Sequence, residues 1–222
     1  MIDQTLLRPD ATRRETIEFV EQAAEYGFAT VCILPTWVAD ASDILADTET
    51  KVCTVIGFPH GLAAPGGKEV EAALVVADGA HEVDMVINIS ALKSGAELIV
   101  FEEIERVVAA SNLGGAIVKV IIECAYLTDA EKQRVSKLAE EAGAAYVKTS
   151  TGFAPSGAIA SDVALIRQSV SDAIGVKAAG GIRSLAFAAE LVSAGATRLG
   201  TSGGIALLAE YGGANVNTTN SY

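Results

Sequence analysis

Short apolar runs recur along the chain, and longer segments with helical spacing of apolar residues separate them. Runs rich in Val, Ile and Ala, without turn residues inside them, are typical of strands that a parallel sheet covers on both faces. Eight such runs are present, and they are centred near residues 3, 31, 53, 84, 119, 147, 177 and 199. The pattern therefore predicts eight strands that alternate with helices.

The segments between the runs carry signals for helix starts and stops. Thr12 with Glu15, and Thr128 with Glu131, have the spacing of a capping box. A glycine that resembles a C-terminal helix stop precedes four of the runs, at Gly27, Gly79, Gly143 and Gly195. These signals support a repeated unit of helix, glycine and strand.

Eight strand–helix units predict a single-domain (β/α)8 TIM barrel, of the α/β class, over residues 1–211. An open, doubly wound sheet is the structural alternative. That fold usually has a glycine-rich nucleotide loop after an early strand, and neither GxGxxG nor GxxxxGK[ST] is present. The polar stretch 212–222, rich in Gly, Asn and Thr, is predicted to be a flexible C-terminal tail.

Composition narrows the possible partners. The formal net charge is -12 and no basic cluster is present, which argues against a nucleic-acid surface. No apolar run approaches the ~18 residues of a membrane span, and the charged N-terminal segment does not resemble a secretory signal. The three cysteines lack metal-ligand spacing and indicate reduced thiols. We expect a soluble, cytoplasmic protein without nucleic-acid or membrane partners, whose anionic ligands would need a locally focused site.

Polar residues late in the apolar runs are the candidates for chemistry, because barrel active sites lie at the carboxyl ends of the strands. They are Asp3, Asp84, Asn88, Lys119, Glu123, Lys148 and Lys177. Residues two apart in a strand share a face, so several lysines and carboxylates can meet inside the barrel. One interpretation is a structural ion-pair network, although burying several charges for stability alone is unfavourable compared with apolar packing.

The other interpretation is a reactive amine. Desolvation and a neighbouring cation both disfavour the ammonium form of a lysine, which makes it a nucleophile for imine chemistry. Metal chemistry is disfavoured because the only histidines, His60 and His81, lack ligand spacing, and a hydrolase is disfavoured because GxSxG is absent. We therefore predict no metal and no cofactor.

Glycine-rich turns follow the last two predicted strands, where barrels commonly bind phosphate. KAAGGIRS contains Gly180 and Gly181, and LGTSGGIA contains Gly200, Ser202 and Gly203. STGF, with Gly152, follows the sixth run and adds backbone donors. Tight turns that require positive φ are the alternative explanation for these glycines.

Seven motifs in order, among them DQTLLRPDAT, KVCTVIGFPHG, AGAAYVKTSTGF and GVKAAGGIR, resemble deoxyribose-phosphate aldolases over nearly the whole chain. The resemblance implies a metal-free, imine-forming barrel enzyme of deoxyribose catabolism. Such an enzyme cleaves 2-deoxy-D-ribose 5-phosphate to D-glyceraldehyde 3-phosphate and acetaldehyde. By this resemblance, Lys148 forms the imine and Lys177 is the second lysine that perturbs Lys148. Asp84 and Asp3 are implied to relay protons.

The resemblance also implies a substrate and phosphate site, a role for the C-terminal Tyr222 in proton transfer, and a homo-oligomer, either dimer or tetramer. The implied substrate- and phosphate-binding residues are Thr5, Gly152, Gly180, Gly181, Arg183, Gly200, Ser202 and Gly203. An incidental tyrosine on a frayed terminus is the alternative for Tyr222. Four residues depart from the commonest family pattern: Gln4, Leu34, Ala179 and Gly203.

Ala179 and Gly203 remove hydroxyl donors near the implied phosphate site. Their loss leaves open a catalytically silent sugar-phosphate-binding barrel. A different Schiff-base sugar-phosphate lyase or transaldolase-like enzyme on the same barrel is a separate alternative.

Overall fold

Eight parallel strands form a closed barrel in a computed structural model that describes residues 1–212. Each strand pairs with the next along the chain, and the eighth pairs with the first. The strands are β1 Ile2–Leu6, β2 Thr30–Ile33, β3 Lys51–Ile56, β4 Glu82–Val86, β5 Ile117–Ile121, β6 Tyr146–Lys148, β7 Gly175–Ala179 and β8 Arg198–Thr201. All eight predicted runs are strands. Because the eighth strand pairs with the first, the closed barrel is confirmed and the open sheet is wrong.

Helices connect the strands and form the outer layer. They are α1 Arg13–Glu25, α2 Val38–Leu45, α3 Gly67–Ala77, α4 Ile89–Lys93, α5 Glu97–Asn112, α6 Asp129–Glu141, α7 Ala160–Ser169, α8 Leu185–Ser193 and α9 Gly204–Tyr211. Short 3-10 turns lie at Pro35–Trp37 and Cys124–Tyr126. Among residues 1–212 no helix is both long enough and apolar enough to cross a membrane.

The helix boundaries follow the local signals in the sequence. Both capping boxes are formed: the side chains of Thr12 and Thr128 accept hydrogen bonds from the backbone N–H groups of Glu15 and Glu131. The four glycines that precede strands all have positive φ, with Gly27 at 63°, Gly79 at 102°, Gly143 at 88° and Gly195 at 113°. These local predictions are therefore confirmed.

The core between strands and helices is apolar, whereas the inside of the barrel is charged. Strand alternation places Val83 and Val120 in the outer hydrophobic core and directs Asp84 and Lys119 inward. The register pairs Asp84 with Lys119 and Lys148 with Lys177 on neighbouring strands. Parallel pairing therefore brings these charged side chains together from distant parts of the chain.

Candidate active site

Three buried carboxylates and four cationic groups form one ion-pair network inside the barrel. The carboxylates are those of Asp3, Glu82 and Asp84, and the cations are Lys119, Lys148, Lys177 and Arg198. These side chains come from β1, β4, β5, β6, β7 and β8. Such a network is costly to desolvate, so a contribution to stability does not by itself explain its presence.

Asp84 is the centre of this network. Its Oδ2 accepts hydrogen bonds from Lys148 Nζ at 2.8 Å and from Lys177 Nζ at 2.7 Å, and its Oδ1 accepts from Lys119 Nζ at 2.7 Å. Asp84 is fully buried, and burial acts to raise the pKa of its carboxyl. The three ammonium groups outweigh burial and hold the pKa of Asp84 well below its ordinary value. Asp84 is therefore an anion that accepts hydrogen bonds from three lysines.

Lys177 is held in its charged form by two carboxylates. Its Nζ contacts Asp3 Oδ2 at 2.6 Å and Asp84 Oδ2 at 2.7 Å. Burial acts to lower the pKa of Lys177, but Asp3 and Asp84 outweigh it and raise the pKa above the ordinary value. Lys177 is thus a fixed cation beside Lys148, which is its register partner on the adjacent strand.

Lys148 differs from the other two lysines in two respects. Lys119 contacts Asp3, Glu82 and Asp84, and Lys177 contacts Asp3 and Asp84, whereas the ion pair described for Lys148 is with Asp84. Of the three lysines, within the described residues, Lys148 alone lines the open cavity at the mouth of the barrel. The geometry therefore makes Lys148 the amine that a ligand can reach.

The cavity has a volume of about 320 Å³, a size that suits a small phosphorylated sugar. It lies over the carboxyl ends of β1, β6, β7 and β8. The charged side chains among its described lining residues are all cationic, namely Arg8, Lys148 and Arg183. The chain has a net charge of -12, yet the charged side chains that line this cavity are cationic. An anionic ligand would need such a local site.

Most of the predicted phosphate-site residues line this cavity. Those present are Thr5, Gly152, Gly180, Gly181, Arg183, Gly200 and Ser202. Gly152, Gly180 and Gly181 have positive φ, at 89°, 92° and 78°. A Cβ on Gly180 would lie 3.5 Å from the Cα of Gly152, so the turns after β6 and β7 are in close contact. In these glycines, a backbone conformation that favours glycine therefore coincides with a position on the cavity wall.

Gly203 differs from the prediction. It is not among the described lining residues, and its N–H donates to Thr201 Oγ1 at 3.0 Å. The next N–H, of Gly204, donates to Gln4 Oε1 at 2.9 Å, and Gln4 Nε2 donates to the Ser202 carbonyl at 3.3 Å. One family departure, Gln4, thus ties the turn after β8 to β1, and Ser202 is the residue of this turn that faces the cavity.

Several other candidates have positions that the sequence did not indicate. Asn88 lies beyond the end of β4 and caps α4, because its Oδ1 accepts from the Ala91 N–H at 2.9 Å. Leu34 packs against a small apolar cluster that includes Leu7. Tyr222 lies outside the described residues.

Four residues of the site were missed in the sequence. Arg8 and Thr151 line the cavity, and Glu82 and Arg198 belong to the network. Strand parity could have found Glu82, which lies two residues before Asp84, and Arg198, which lies two before Gly200. Arg8 follows β1 closely, but its ion pairs with Asp10 and Glu15 also fit an ordinary surface arginine.

Within residues 1–212, two groups of side chains have donor atoms close enough for a metal ion. Cys32, Cys53 and Asp84 form one, and Asp3, Cys53 and Glu82 form the other, with donor atoms within 4.8 Å of one another. Both groups share carboxylates with the ion-pair network, whose oxygens already contact ammonium or guanidinium nitrogens. A cation would have to displace those groups, so the arrangement suits the lysines better than a metal.

Fold and site together define a (β/α)8-barrel lyase with a lysine amine at the base of a cationic cavity. Residues 1–213 match the model of the DeoC/LacD family aldolases. The chain belongs to this family.

Relatives and solved structures agree with the family model. The deoxyribose-phosphate aldolase of Geobacillus sp. (strain WCH70) is 51% identical over 208 residues, which cover 94% of this chain and 93% of the relative. That of Enterococcus faecalis is also 51% identical over 208 residues, which cover 94% of each chain. The tetrameric deoxyribose phosphate aldolase of Aeropyrum pernix superposes with a TM-score of 0.88 at 35% identity, covering 95% of this chain and 89% of the other.

Proposed function

We propose that this aldolase reversibly cleaves 2-deoxy-D-ribose 5-phosphate to D-glyceraldehyde 3-phosphate and acetaldehyde through an imine on Lys148, in deoxyribose catabolism. The observation that carries the proposal is the position of Lys148. Its amine lies at the cavity, on the same carboxylate oxygen as the fixed cation of Lys177. Relatives about 50% identical are named deoxyribose-phosphate aldolase, which supports the choice of substrate.

The reaction begins with the Lys148 amine. The uncharged amine adds to the C1 aldehyde, and loss of water from the carbinolamine gives an imine whose protonated form is an electron sink. Lys177, which holds the same Asp84 oxygen, is the second lysine that perturbs this amine. Asp84 remains an anion beside the new iminium and stabilises its positive charge.

Cleavage and release follow from the same groups. Asp84, acting through a water molecule, accepts the proton of the C3 hydroxyl as the C2–C3 bond breaks, and Asp3 belongs to the same proton relay. The bonding electrons enter the iminium to give an enamine, and glyceraldehyde 3-phosphate leaves. Protonation of the enamine carbon and hydrolysis of the imine then free acetaldehyde and return the Lys148 amine.

The phosphate group is bound at the opposite end of the cavity. Arg183 and the turns that contain Gly152, Gly180 and Gly181 supply charge and backbone donors there, and Ser202 adds a hydroxyl. Gly200 also has a packing role, since a Cβ at this position would lie 3.1 Å from the Lys177 side chain. Thr5 lines the cavity above Asp3, and its hydroxyl donates to the Asp3 carbonyl at 2.9 Å.

Borohydride trapping tests the proposal directly. Acetaldehyde and sodium borohydride should leave a reduced two-carbon adduct on Lys148, located by mass spectrometry of the digested protein. Lys148→Ala should abolish both the adduct and the cleavage of deoxyribose 5-phosphate. Lys68→Met is a matched control, since Lys68 is equally buried but pairs with Glu103 away from this cavity. An adduct on another lysine, or cleavage by Lys148→Ala, would refute the assignment.

A panel of aldehyde donors separates this function from that of another imine-forming lyase. Acetaldehyde should be the preferred donor, and turnover of deoxyribose 5-phosphate would exclude a silent binding protein. The hydroxyl-free residues Ala179 and Gly203, which suggested the silent alternative, leave the lysines and Asp84 untouched.

We also propose a homo-oligomer, dimer or tetramer, in the cytoplasm, with small sugar phosphates and aldehydes as its ligands. The tetrameric Aeropyrum pernix relative supports the first part. Three buried free cysteines fit a reducing compartment. Tyr222 is proposed to assist proton transfer at the enamine carbon. Deleting Tyr222 should slow proton exchange on acetaldehyde, and an unchanged exchange rate would remove that role.

A further inference from the structure

Glu123 combines two unfavourable features directly after β5. It has a φ of 54°, the one positive φ of a non-glycine residue among residues 1–212, and its side chain is buried with 1% exposure. A left-handed backbone at such a residue costs on the order of 1–3 kcal/mol. Burying a carboxylate adds a further cost unless hydrogen bonds satisfy it. A residue with both costs and no part in the ion-pair network described above requires another explanation.

The carboxylate of Glu123 contacts the loop that follows the proposed imine-forming lysine. Its Oε2 accepts from the Thr151 N–H at 3.1 Å and also from the Thr151 hydroxyl. The Thr151 hydroxyl oxygen in turn accepts from the Phe153 N–H at 3.0 Å. One carboxylate oxygen thus fixes, directly or through one hydroxyl, both ends of the turn 151–153.

This turn is part of the cavity wall. Thr151, Gly152 and Phe153 all line the cavity, only a few residues beyond Lys148. Gly152 also lies against Gly180, so a shift of the first turn would displace the second. The left-handed backbone of Glu123 lies two residues beyond the end of β5, and from there its side chain reaches the turn.

The other oxygen of Glu123 has no hydrogen-bond partner among the described atoms, although it is buried. Burial raises the pKa of Glu123, and the hydrogen bonds from Thr151 and then the charge of Lys148 oppose that rise. The contact with Thr151 is the larger of the two interactions that offset the burial of this side chain. Glu123 is not among the described lining residues, so any effect on a ligand acts through the turn.

We propose that Glu123 is a positioning residue that holds the turn 151–153 in its anion-binding shape and so sets the preference for a phosphorylated over an unphosphorylated sugar. The inference rests on the proposed function, because it assigns the phosphate to this end of the cavity. It separates phosphate recognition from imine chemistry: Glu123 controls the first, and the network around Asp84 controls the second.

The test compares deoxyribose 5-phosphate with 2-deoxyribose in Glu123→Gln, a change that removes the charge and keeps the shape. We expect KM for the phosphorylated sugar to rise at least tenfold, with kcat and the kcat/KM for 2-deoxyribose within about twofold of the unmodified protein. The rate of borohydride trapping with acetaldehyde should not change. Glu71→Gln is the matched control, because Glu71 Oε2 also holds a loop N–H, that of Gly57 at 2.6 Å, but outside this cavity.

Thr151 supplies a second line of evidence if Glu123→Gln folds poorly. Thr151→Val removes the hydroxyl and should reproduce the rise in KM for the phosphorylated sugar. Thr151→Ser keeps a hydroxyl, so its KM should stay near that of the unmodified protein. The KM of the double variant Glu123→Gln with Thr151→Val should be no higher than that of the more impaired single variant, since the two residues act as one unit.

Three results would overturn the inference. They are equal losses for both sugars, an unchanged KM in both Glu123→Gln and Thr151→Val, and additive effects in the double variant. A lowered thermal stability without a change in sugar preference would show that Glu123 serves only the fold. Failure of the proposed function is distinct, because the unmodified protein would then neither cleave deoxyribose 5-phosphate nor be trapped by acetaldehyde.

Discussion

Replacing Lys177 by Met should slow imine formation without unfolding the barrel. Lys177 and Lys148 contact the same oxygen of Asp84, at 2.7 and 2.8 Å, so their nitrogens are no farther apart than the sum of these two distances. Coulomb's law with an effective dielectric constant of about 20 gives roughly 3 kcal/mol for two charges about 5 Å apart. At 1.36 kcal/mol per factor of ten, this corresponds to about a hundredfold in rate.

The direction follows from the charge that is lost. Without the Lys177 cation, Asp84 Oδ2 holds Lys148 without a competing ammonium group, so the Lys148 nitrogen is less available to the aldehyde. The rate of imine formation at pH 7 should therefore fall by up to about a hundredfold. Single-turnover trapping with acetaldehyde and borohydride at pH 7 measures this rate.

Folding should survive this substitution. Asp3 keeps Arg198 at 2.6 Å and Asp84 keeps Lys119 at 2.7 Å, so neither carboxylate is left unpaired. The loss should stay below the ~3–5 kcal/mol that accompanies an uncompensated buried charge. Lys68→Met, outside the cavity, should lower stability without slowing imine formation. A Lys177→Met enzyme that forms the imine at the unmodified rate would refute the electrostatic reasoning.

Three further substitutions test the fold and the network. Gly157→Ala should destabilise the protein and raise KM for deoxyribose 5-phosphate, because its Cβ would lie 2.3 Å from the Gly180 carbonyl oxygen; normal kinetics would show that the turn can move. Thr128→Ala should cost about 1 kcal/mol in urea unfolding through loss of a helix cap, with kcat unchanged. Asp3→Asn should be less stable at pH 7. Burial acts to raise the pKa of Asp3, but Lys177, Lys119 and Arg198 lower it overall, so the native protein loses this stabilisation as the pH falls below the unfolded value near 3.8. The difference between the two urea midpoints should therefore begin to shrink only as the pH falls below about 4. A constant difference would contradict the ion-pair explanation.

Local signals in the sequence were sufficient for the fold. The eight apolar runs, the two capping boxes and the four glycine stops each depend on residues only a few positions apart, and the structure contains all of them. Closure of the barrel follows from the number of units, because eight parallel strands with connecting helices can bury both sheet faces and leave no open edge. Strand parity also placed Asp84, Lys119, Lys148 and Lys177 on the inside.

The candidate site was predictable only where strand geometry applies. Asn88 and Glu123 lie beyond the ends of their strands, where alternation no longer fixes the direction of a side chain. Gly203 looked like a phosphate donor, yet its N–H serves Thr201 within the turn. Arg8 was hidden because ion pairs with nearby acids are the usual state of a surface arginine.

The sequence by itself determined the elements, their order, and which charged residues face the barrel interior, since all of these follow from periodicity and chain direction. Only the tertiary structure decided which lysine meets the cavity and which are enclosed by carboxylates. That distinction depends on strand register and on contacts between residues up to 195 positions apart, such as Asp3 with Arg198. The left-handed backbone of Glu123 also appeared only there, because strand periodicity does not fix φ beyond the end of a strand.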